Sequence, residues 1–168
     1  MVNPLKELKT ADFVTLSNAV IGLLSILYSI KKEFVIAAIL LVLCVILDGL
    51  DGLIAKRLKQ TTELGKQLDS LADIISFGGA PVALVYSLNN TTLAIISYIF
   101  FICCGILRLA RYNVSNIKDY FQGMPITTNG ILIPLFFFIK VPYSYYPLIY
   151  FILGILMIST FKVKRVFR

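Results

Sequence analysis

Residues 48–73 read DGLDGLIAKRLKQTTELGKQLDSLAD, and the rest of the chain is legible as scaffolding for the four carboxylates inside that window, Asp48, Asp51, Asp69 and Asp73. The whole chain has only nine acidic residues, so nearly half of them are gathered here. Asp48 and Asp51 are spaced i, i+3 and Asp69 and Asp73 i, i+4, so on two helices each pair projects from one face. Two such faces brought together make a cage of oxygens. Carboxylates crowded away from water repel one another strongly enough that a cation must hold them together. Oxygen-only donors suit the hard divalent ions Mg²⁺, Mn²⁺ or Ca²⁺, and a chain without histidine offers nothing that suggests zinc. An ordinary solvated helix face would interleave lysines with the aspartates and would not call for small residues at Gly52, Ala55 and Gly65.

On either side of this window the chain is apolar. Its 168 residues are 58% hydrophobic, with mean hydropathy +0.87, well beyond a soluble domain of this size. The expected fold is an all-α integral membrane protein forming one domain over residues 1–168. Apolar segments at 13–30, 34–55, 67–88, 91–110, 124–140 and 144–161 each approach the roughly 20 residues that span a bilayer, which gives about six transmembrane helices. Short links at Lys31-Lys32-Glu33 and Asn89-Asn90 favour antiparallel neighbours. Pro4, with Leu5 and Leu8 beside Lys6 and Lys9, predicts a short interfacial helix over residues 1–12. The first apolar run is long and no small-residue cleavage site follows it, so it is expected to stay as an anchor. Cys44, Cys103 and Cys104 lie inside apolar runs and read as small hydrophobes rather than a disulfide or metal set.

The net charge of +7 is distributed between apolar blocks, not along a stripe, which excludes a nucleic-acid surface and points to membrane topology and lipid contact. With the N-terminus inside, thirteen of the sixteen Lys and Arg residues fall on one side, and only Lys31, Lys32 and Lys140 on the other. Both termini and the aspartate window are therefore expected at the cytoplasmic face of a cell membrane. Tyr143, Tyr145 and Tyr146 then fall at the opposite interface, as an aromatic belt.

The pattern Asp48-x-x-Asp51-Gly52-x-x-Ala55-Lys56, eight residues, Gly65-x-x-x-Asp69-x-x-x-Asp73 resembles the signature of the CDP-alcohol phosphotransferases, integral membrane enzymes of phospholipid synthesis. Lys56 stands where that family usually carries arginine, with Arg57 next to it; the charge is kept and the bidentate fork is not. Three further runs resemble the phosphatidylserine synthase branch of the family. They are Ser76-Phe77-Gly78-Gly79-Ala80-Pro81, Leu107-Arg108-Leu109-Ala110-Arg111-Tyr112-Asn113 and Phe121-Gln122-Gly123-Met124-Pro125. In the first span, Thr15-Leu16-x-Asn18 resembles an early motif of the family.

The resemblance implies displacement at the β-phosphorus of a CDP-linked lipid, CDP-diacylglycerol or CDP-archaeol, by the hydroxyl of L-serine, with release of CMP. Asp48, Asp51 and Asp69 would hold the divalent metal, with Asp73 as a weaker fourth ligand and the candidate general base. Asn18, Gly52, Ala55, Lys56, Arg57 and Gly65 are the expected CDP-lipid residues. The small ones let a ring or phosphate approach the backbone, although their spacing suits close helix packing equally well. Arg108 and Arg111 are expected to hold the serine carboxylate, with Asn113 and Thr128 adding hydrogen bonds. Both arginines also fit as positive-inside anchors, and Pro125 as a helix start. The family resemblance further implies a homodimer. A phosphorylated acceptor, inositol phosphate or glycerol phosphate, would call for a denser basic pocket. A small cation transporter would place its acids near the bilayer midplane or in repeated halves, whereas these cluster at one interface.

Overall fold

The structure, a computed structural model, describes residues 8–58, 62–114, 120–159 and 162–164. Helix α1 spans Thr10–Ile30, α2 Phe34–Arg57 and α3 Glu63–Asp73; a π-helical turn, Ile74–Gly79, carries the chain without a break into α4, Ala80–Leu88. Helix α5 spans Thr92–Val114, α6 Thr127–Phe138 and α7 Tyr146–Ile158, the last entered through a 3₁₀ turn at Tyr143–Tyr145. The all-α expectation is borne out. Of the interfacial helix expected over residues 1–12, the part up to residue 7 lies outside the described residues, and Thr10 already belongs to α1.

Each of the six apolar segments is helical, but they are unequal. Thr10–Ile30, Phe34–Arg57, Glu63–Leu88 and Thr92–Val114 are long and apolar enough to cross a membrane, whereas Thr127–Phe138 and Tyr143–Ile158 are shorter. Residues that cannot continue a helix bound α6. Pro125 precedes it, and beyond its end Lys140 takes a left-handed conformation at φ 58. The outer surface suits lipid: Leu23, Ile39, Ile99 and Ile152 are exposed, while the small Ala37, Ala38, Cys44, Ala80 and Ala94 are buried between helices. In a bilayer, helices have no hydrophobic reason to hide leucine, and small residues let backbones approach. The cysteines follow this pattern: Cys44 and Cys104 are buried, Cys103 is exposed, and none is in a disulfide.

The π-helical turn follows from the Ser76-Phe77-Gly78-Gly79-Ala80-Pro81 run. Pro81 has no N–H to give to the carbonyl of Phe77, four residues back, and its ring would clash there in a regular helix. The wider turn relieves the clash, with Ala80 N–H donating to the carbonyl of Ile75. The freed Phe77 carbonyl accepts Asn129 Nδ2 from α6 at 2.8 Å. On the other side Ser76 Oγ donates to the backbone carbonyl of Asn18 in α1 at 3.0 Å. The run thus ties three helices together directly above Asp73.

Two three-residue strands, β1 (Tyr120–Gln122) and β2 (Lys162–Lys164), pair antiparallel, with Phe121 opposite Val163. Gly123 follows β1 at φ 74, and a Cβ there would collide with the Met157 carbonyl oxygen. A left-handed conformation pressed onto backbone is open only to glycine. Met124 N–H then bonds the Leu156 carbonyl at 3.1 Å, which delivers Pro125 to the start of α6. At the far end of the helices, Tyr143 and Tyr145 are exposed as an aromatic belt requires, but Tyr146 is fully buried. As the first residue of α7 it turns inward, and its ring packs against that of Tyr143 with centroids 6.0 Å apart.

Candidate active site

The start of α1, the end of α2, the start of α3, the end of α5 and the start of α6 converge on one cavity of about 630 Å³ at a single end of the molecule. Helix geometry decides which residues reach it. At about 100° per residue, Asp48, Asp51, Gly52, Ala55 and Lys56 fall within one arc of α2, and all five line the cavity. Arg57, nine residues beyond Asp48, falls about 180° round the helix; it is exposed and outside the lining. Gly65, Lys66, Asp69, Ser70 and Asp73 line the cavity from α3.

One carboxylate oxygen each from Asp48, Asp51 and Asp69 lie within 4.8 Å of one another. Asp51 is 5% exposed, and its Oδ2 accepts Thr15 Oγ1 from α1 at 2.8 Å. Asp73 stands one turn deeper. Its carboxyl is within hydrogen-bonding reach of that of Asp48, and its Oδ1 is sealed from solvent with no donor among the described residues. Three carboxylate oxygens this close together, with a further buried and unpartnered carboxylate oxygen in the same cavity, make a set that a cation would satisfy. The donor set, all oxygen and all carboxylate, fits a hard divalent ion.

Gly52 resolves the choice between helix packing and ligand approach at that position. A Cβ placed on it would meet nothing within 4 Å, so no neighbouring helix requires glycine there and the space is the cavity's own. Gly65 is different: a Cβ there would come within 2.6 Å of Asp12 Oδ1 and 3.1 Å of Thr62 Oγ1. Thr62 caps α3 by accepting Gly65 N–H at 2.9 Å.

Across the cavity, α5 presents Arg108, Leu109 and Tyr112. Arg108 is near enough to Asp73 to feel its charge, and its Nε is buried without a hydrogen-bond acceptor among the described residues. The guanidinium lies 5.9 Å from the Tyr112 ring centroid, and Lys66 Nζ lies 5.8 Å from the same ring. Arg111 lies outside this arc: it sits about 60° round α5 from Arg108, on the flank away from Leu109 and Tyr112, and is exposed and absent from the lining. Thr128 is likewise outside the lining, while its neighbour Thr127 is part of it.

Two other expected ligands have structural partners. Asn113 Nδ2 donates to Ser70 Oγ at 2.9 Å and to Gln67 Oε1 at 3.2 Å, and its carbonyl accepts Lys66 Nζ at 3.1 Å. It fastens the end of α5 to the helix that carries Asp69 and Asp73. Asn18 is 1% exposed and lies between helices outside the cavity lining; its backbone carbonyl accepts Ser76 Oγ and, at 3.7 Å, Cys44 Sγ, while its side-chain Oδ1 is buried without a partner among the described residues. Thr15, Lys66, Ser70, Tyr112 and Asp12 are cavity residues that the motif reading did not select. Thr15 lay in the quoted early motif; its place three residues before Asn18 is the signal that would have found it.

A family profile described as CDP-alcohol phosphatidyltransferase matches residues 8–161. The chain is 36% identical over 160 residues to the CDP-diacylglycerol–serine O-phosphatidyltransferase of Methanocaldococcus jannaschii, covering 95% of this chain and 76% of that protein. It is 36% identical over 164 residues to the archaetidylserine synthase of Methanothermobacter thermautotrophicus, covering 92% and 69%. The CDP-diacylglycerol–serine O-phosphatidyltransferase of Helicobacter pylori is 38% identical over 130 residues, covering 74% of this chain but 55% of that protein.

Proposed function

The chain belongs to the CDP-alcohol phosphatidyltransferase family, and from that premise we propose that it transfers the phosphatidyl or archaetidyl group of a CDP-linked lipid to the hydroxyl of L-serine, releasing CMP. It is a transferase of phospholipid biosynthesis, like the relatives it matches. The reading takes residues 1–168 as one catalytic domain in a cell membrane, with both termini and the cavity on the cytoplasmic side, where CDP-lipid headgroups and serine meet. It also takes the protein to be a homodimer.

The observation that carries the chemistry is the juxtaposition of a three-oxygen carboxylate cluster, a fourth carboxylate outside it and a half-buried arginine whose Nε is sealed from solvent, all in one cavity. Asp48, Asp51 and Asp69 would hold Mg²⁺, Mn²⁺ or Ca²⁺, with Asp73 as a weaker fourth ligand, and the ion would supply charge neutralisation at the pyrophosphate. Lys56 steadies the diphosphate from α2, and the bare backbone at Gly52 lets it come close. Arg108, whose Nε has no acceptor among the described residues, takes the serine carboxylate. Asp73 receives the proton of the serine hydroxyl as its oxygen bonds to the β-phosphorus and the bond to the CMP oxygen breaks. Arg57, Arg111 and Thr128 belong to this reading only as outer charges and helix-end residues.

The test uses protein purified in detergent with CDP-diacylglycerol, Mn²⁺ and, separately, L-serine, glycerol 3-phosphate and inositol phosphate. CMP release is expected with serine and at background with the phosphorylated acceptors. Faster release with either phosphorylated acceptor refutes the serine assignment; absence of CMP release with all three refutes the transfer reaction.

A further inference from the structure

Asp73 is the last residue of α3, and the π-helical turn Ile74–Gly79 starts directly from it. Its Oδ1 receives no hydrogen bond among the described residues, which leaves the aim of the carboxyl to the main chain beneath it. A π turn closes over one residue more than an α turn, so α3 and α4 are rotated about 100° from the register that one continuous α-helix would give. That rotation lets Asp69 and Asp73 line the cavity while Leu84 and Val85 of α4 stay buried in the core. A regular helix through residues 74–79 would turn one set or the other away.

Helix α6 holds this wide turn open. Pro81 has no N–H for the Phe77 carbonyl, and a backbone carbonyl left bare inside a membrane bundle is costly. Asn129 Nδ2 takes it at 2.8 Å. Asn129 is 1% exposed, and the next residue, Gly130, is so near the Phe77 ring that a Cβ there would collide with it. The other half of the amide gains nothing. Its Oδ1 is buried without a partner among the described residues, and the Tyr150 hydroxyl of α7 approaches the amide without closing a hydrogen bond. An apolar side chain would fill the same space without stranding that oxygen. What asparagine supplies here is one N–H, delivered to the carbonyl that the proline released.

We propose that Asn129 is a positioning residue for Asp73: by holding the Phe77 carbonyl it keeps the π turn wide and the Asp73 carboxylate directed at the acceptor hydroxyl. The inference rests on the reading of Asp73 as the general base. Asn129 lies outside the cavity lining and acts only through the main chain of residues 73–77. Without its N–H the Phe77 carbonyl must swing toward another donor, and Asp73, four residues earlier, shifts with the turn. A displacement of about 1 Å in an aligned reacting group can cost about 10²-fold in rate.

The test is a double-mutant cycle of Asn129→Leu and Asp73→Asn in the full chain in detergent, followed by CMP release from CDP-diacylglycerol and serine across a Mn²⁺ titration. Asn129→Leu is close in volume but has no donor. It is expected to lower kcat about 10- to 100-fold, with the KM for serine and the half-saturating Mn²⁺ concentration within about threefold of wild type. In the Asp73→Asn background the same substitution is expected to lower the residual turnover by no more than about twofold, since a base that is gone cannot be misaimed. A bond that only holds the fold together predicts equal fold-losses in both backgrounds; that result overturns the proposal, as does an unchanged kcat in Asn129→Leu. If the leucine variant does not fold, Asn129→Ser, whose hydroxyl is too short to reach Phe77, takes its place in the cycle. Wild-type turnover in Asp73→Asn alone at saturating Mn²⁺ would overturn the base reading and the proposal with it. A steep loss there, with equal losses from the Asn129 variant in both backgrounds, would overturn the positioning role and leave the base reading standing.

Discussion

Thr15→Val isolates one hydrogen bond at the edge of the metal cluster. The swap is nearly isosteric and keeps the branched β-carbon, so the packing of α1 against α2 is preserved and the change is chemical. What disappears is the 2.8 Å bond from Thr15 Oγ1 to Asp51 Oδ2, between side chains each only 5% exposed, together with a longer one, 3.3 Å, to the Ala11 carbonyl within α1. A hydrogen bond to a charged group is worth about 1.5–3 kcal/mol, and an acceptor stranded in a buried site receives no water to replace it. Converted at about 1.4 kcal/mol per decade, the loss is about 10- to 100-fold in the affinity of Asp51 for whatever it ligates. Partners that orient ligands commonly have effects of this size. The assay is CMP release at saturating CDP-diacylglycerol and serine across a Mn²⁺ titration. The half-saturating Mn²⁺ concentration should rise 10- to 100-fold, with turnover at saturating metal within a few-fold of wild type, and Thr15→Ser should restore most of the affinity. An unchanged half-saturation point would refute the view that Asp51 is a ligand oriented by α1. Loss of turnover that no Mn²⁺ concentration restores would refute the separation of metal binding from catalysis at this residue.

Asp73→Asn should bind metal and CMP nearly normally while turnover falls about 10²–10⁴-fold; rescue to near wild-type turnover by excess metal would move Asp73 into the metal shell and leave the reaction without a base. Arg108→Lys keeps the charge but loses the fork, and should raise the KM for serine about tenfold or more with little change in that for the CDP-lipid, while Arg111→Lys, on the exposed flank of α5, should change neither by more than about twofold; the reverse ranking would place the acceptor elsewhere. Gly52→Leu enters open space, so its thermal midpoint should match wild type while CMP binding is lost; a fall in the midpoint with binding intact would show that glycine serves packing after all. Asn113→Ala removes the link from α5 to Ser70 and Gln67 and should lower kcat with the KM for serine within about twofold of wild type; a rise in that KM alone would make Asn113 a serine ligand.

The sequence by itself determined the class of the fold and the composition of the acidic site. Apolar runs near bilayer length admit only helices, because backbone groups in lipid must bond within their own segment. The spacings of Asp48 with Asp51 and of Asp69 with Asp73 place each pair on one face whatever the tertiary arrangement. The Ser76–Pro81 run carried its own instruction, since a proline that cannot bond Phe77 must distort the helix locally. What the chain could not disclose was how each helix is rotated about its axis. A soluble helix shows its inward face by polarity, but a membrane helix is apolar toward lipid and toward its neighbours alike. Only packing then decides that Arg108 and not Arg111, Thr127 and not Thr128, looks into the cavity, and that Tyr146 turns inward from the interfacial belt. Small residues were ambiguous for the same reason, because Gly52 and Gly65 look alike in sequence. One stands beside empty space and the other beneath the carboxylate of Asp12, fifty-three residues earlier in the chain, a neighbour that no local spacing reveals and that the convergence of α1 and α3 supplies.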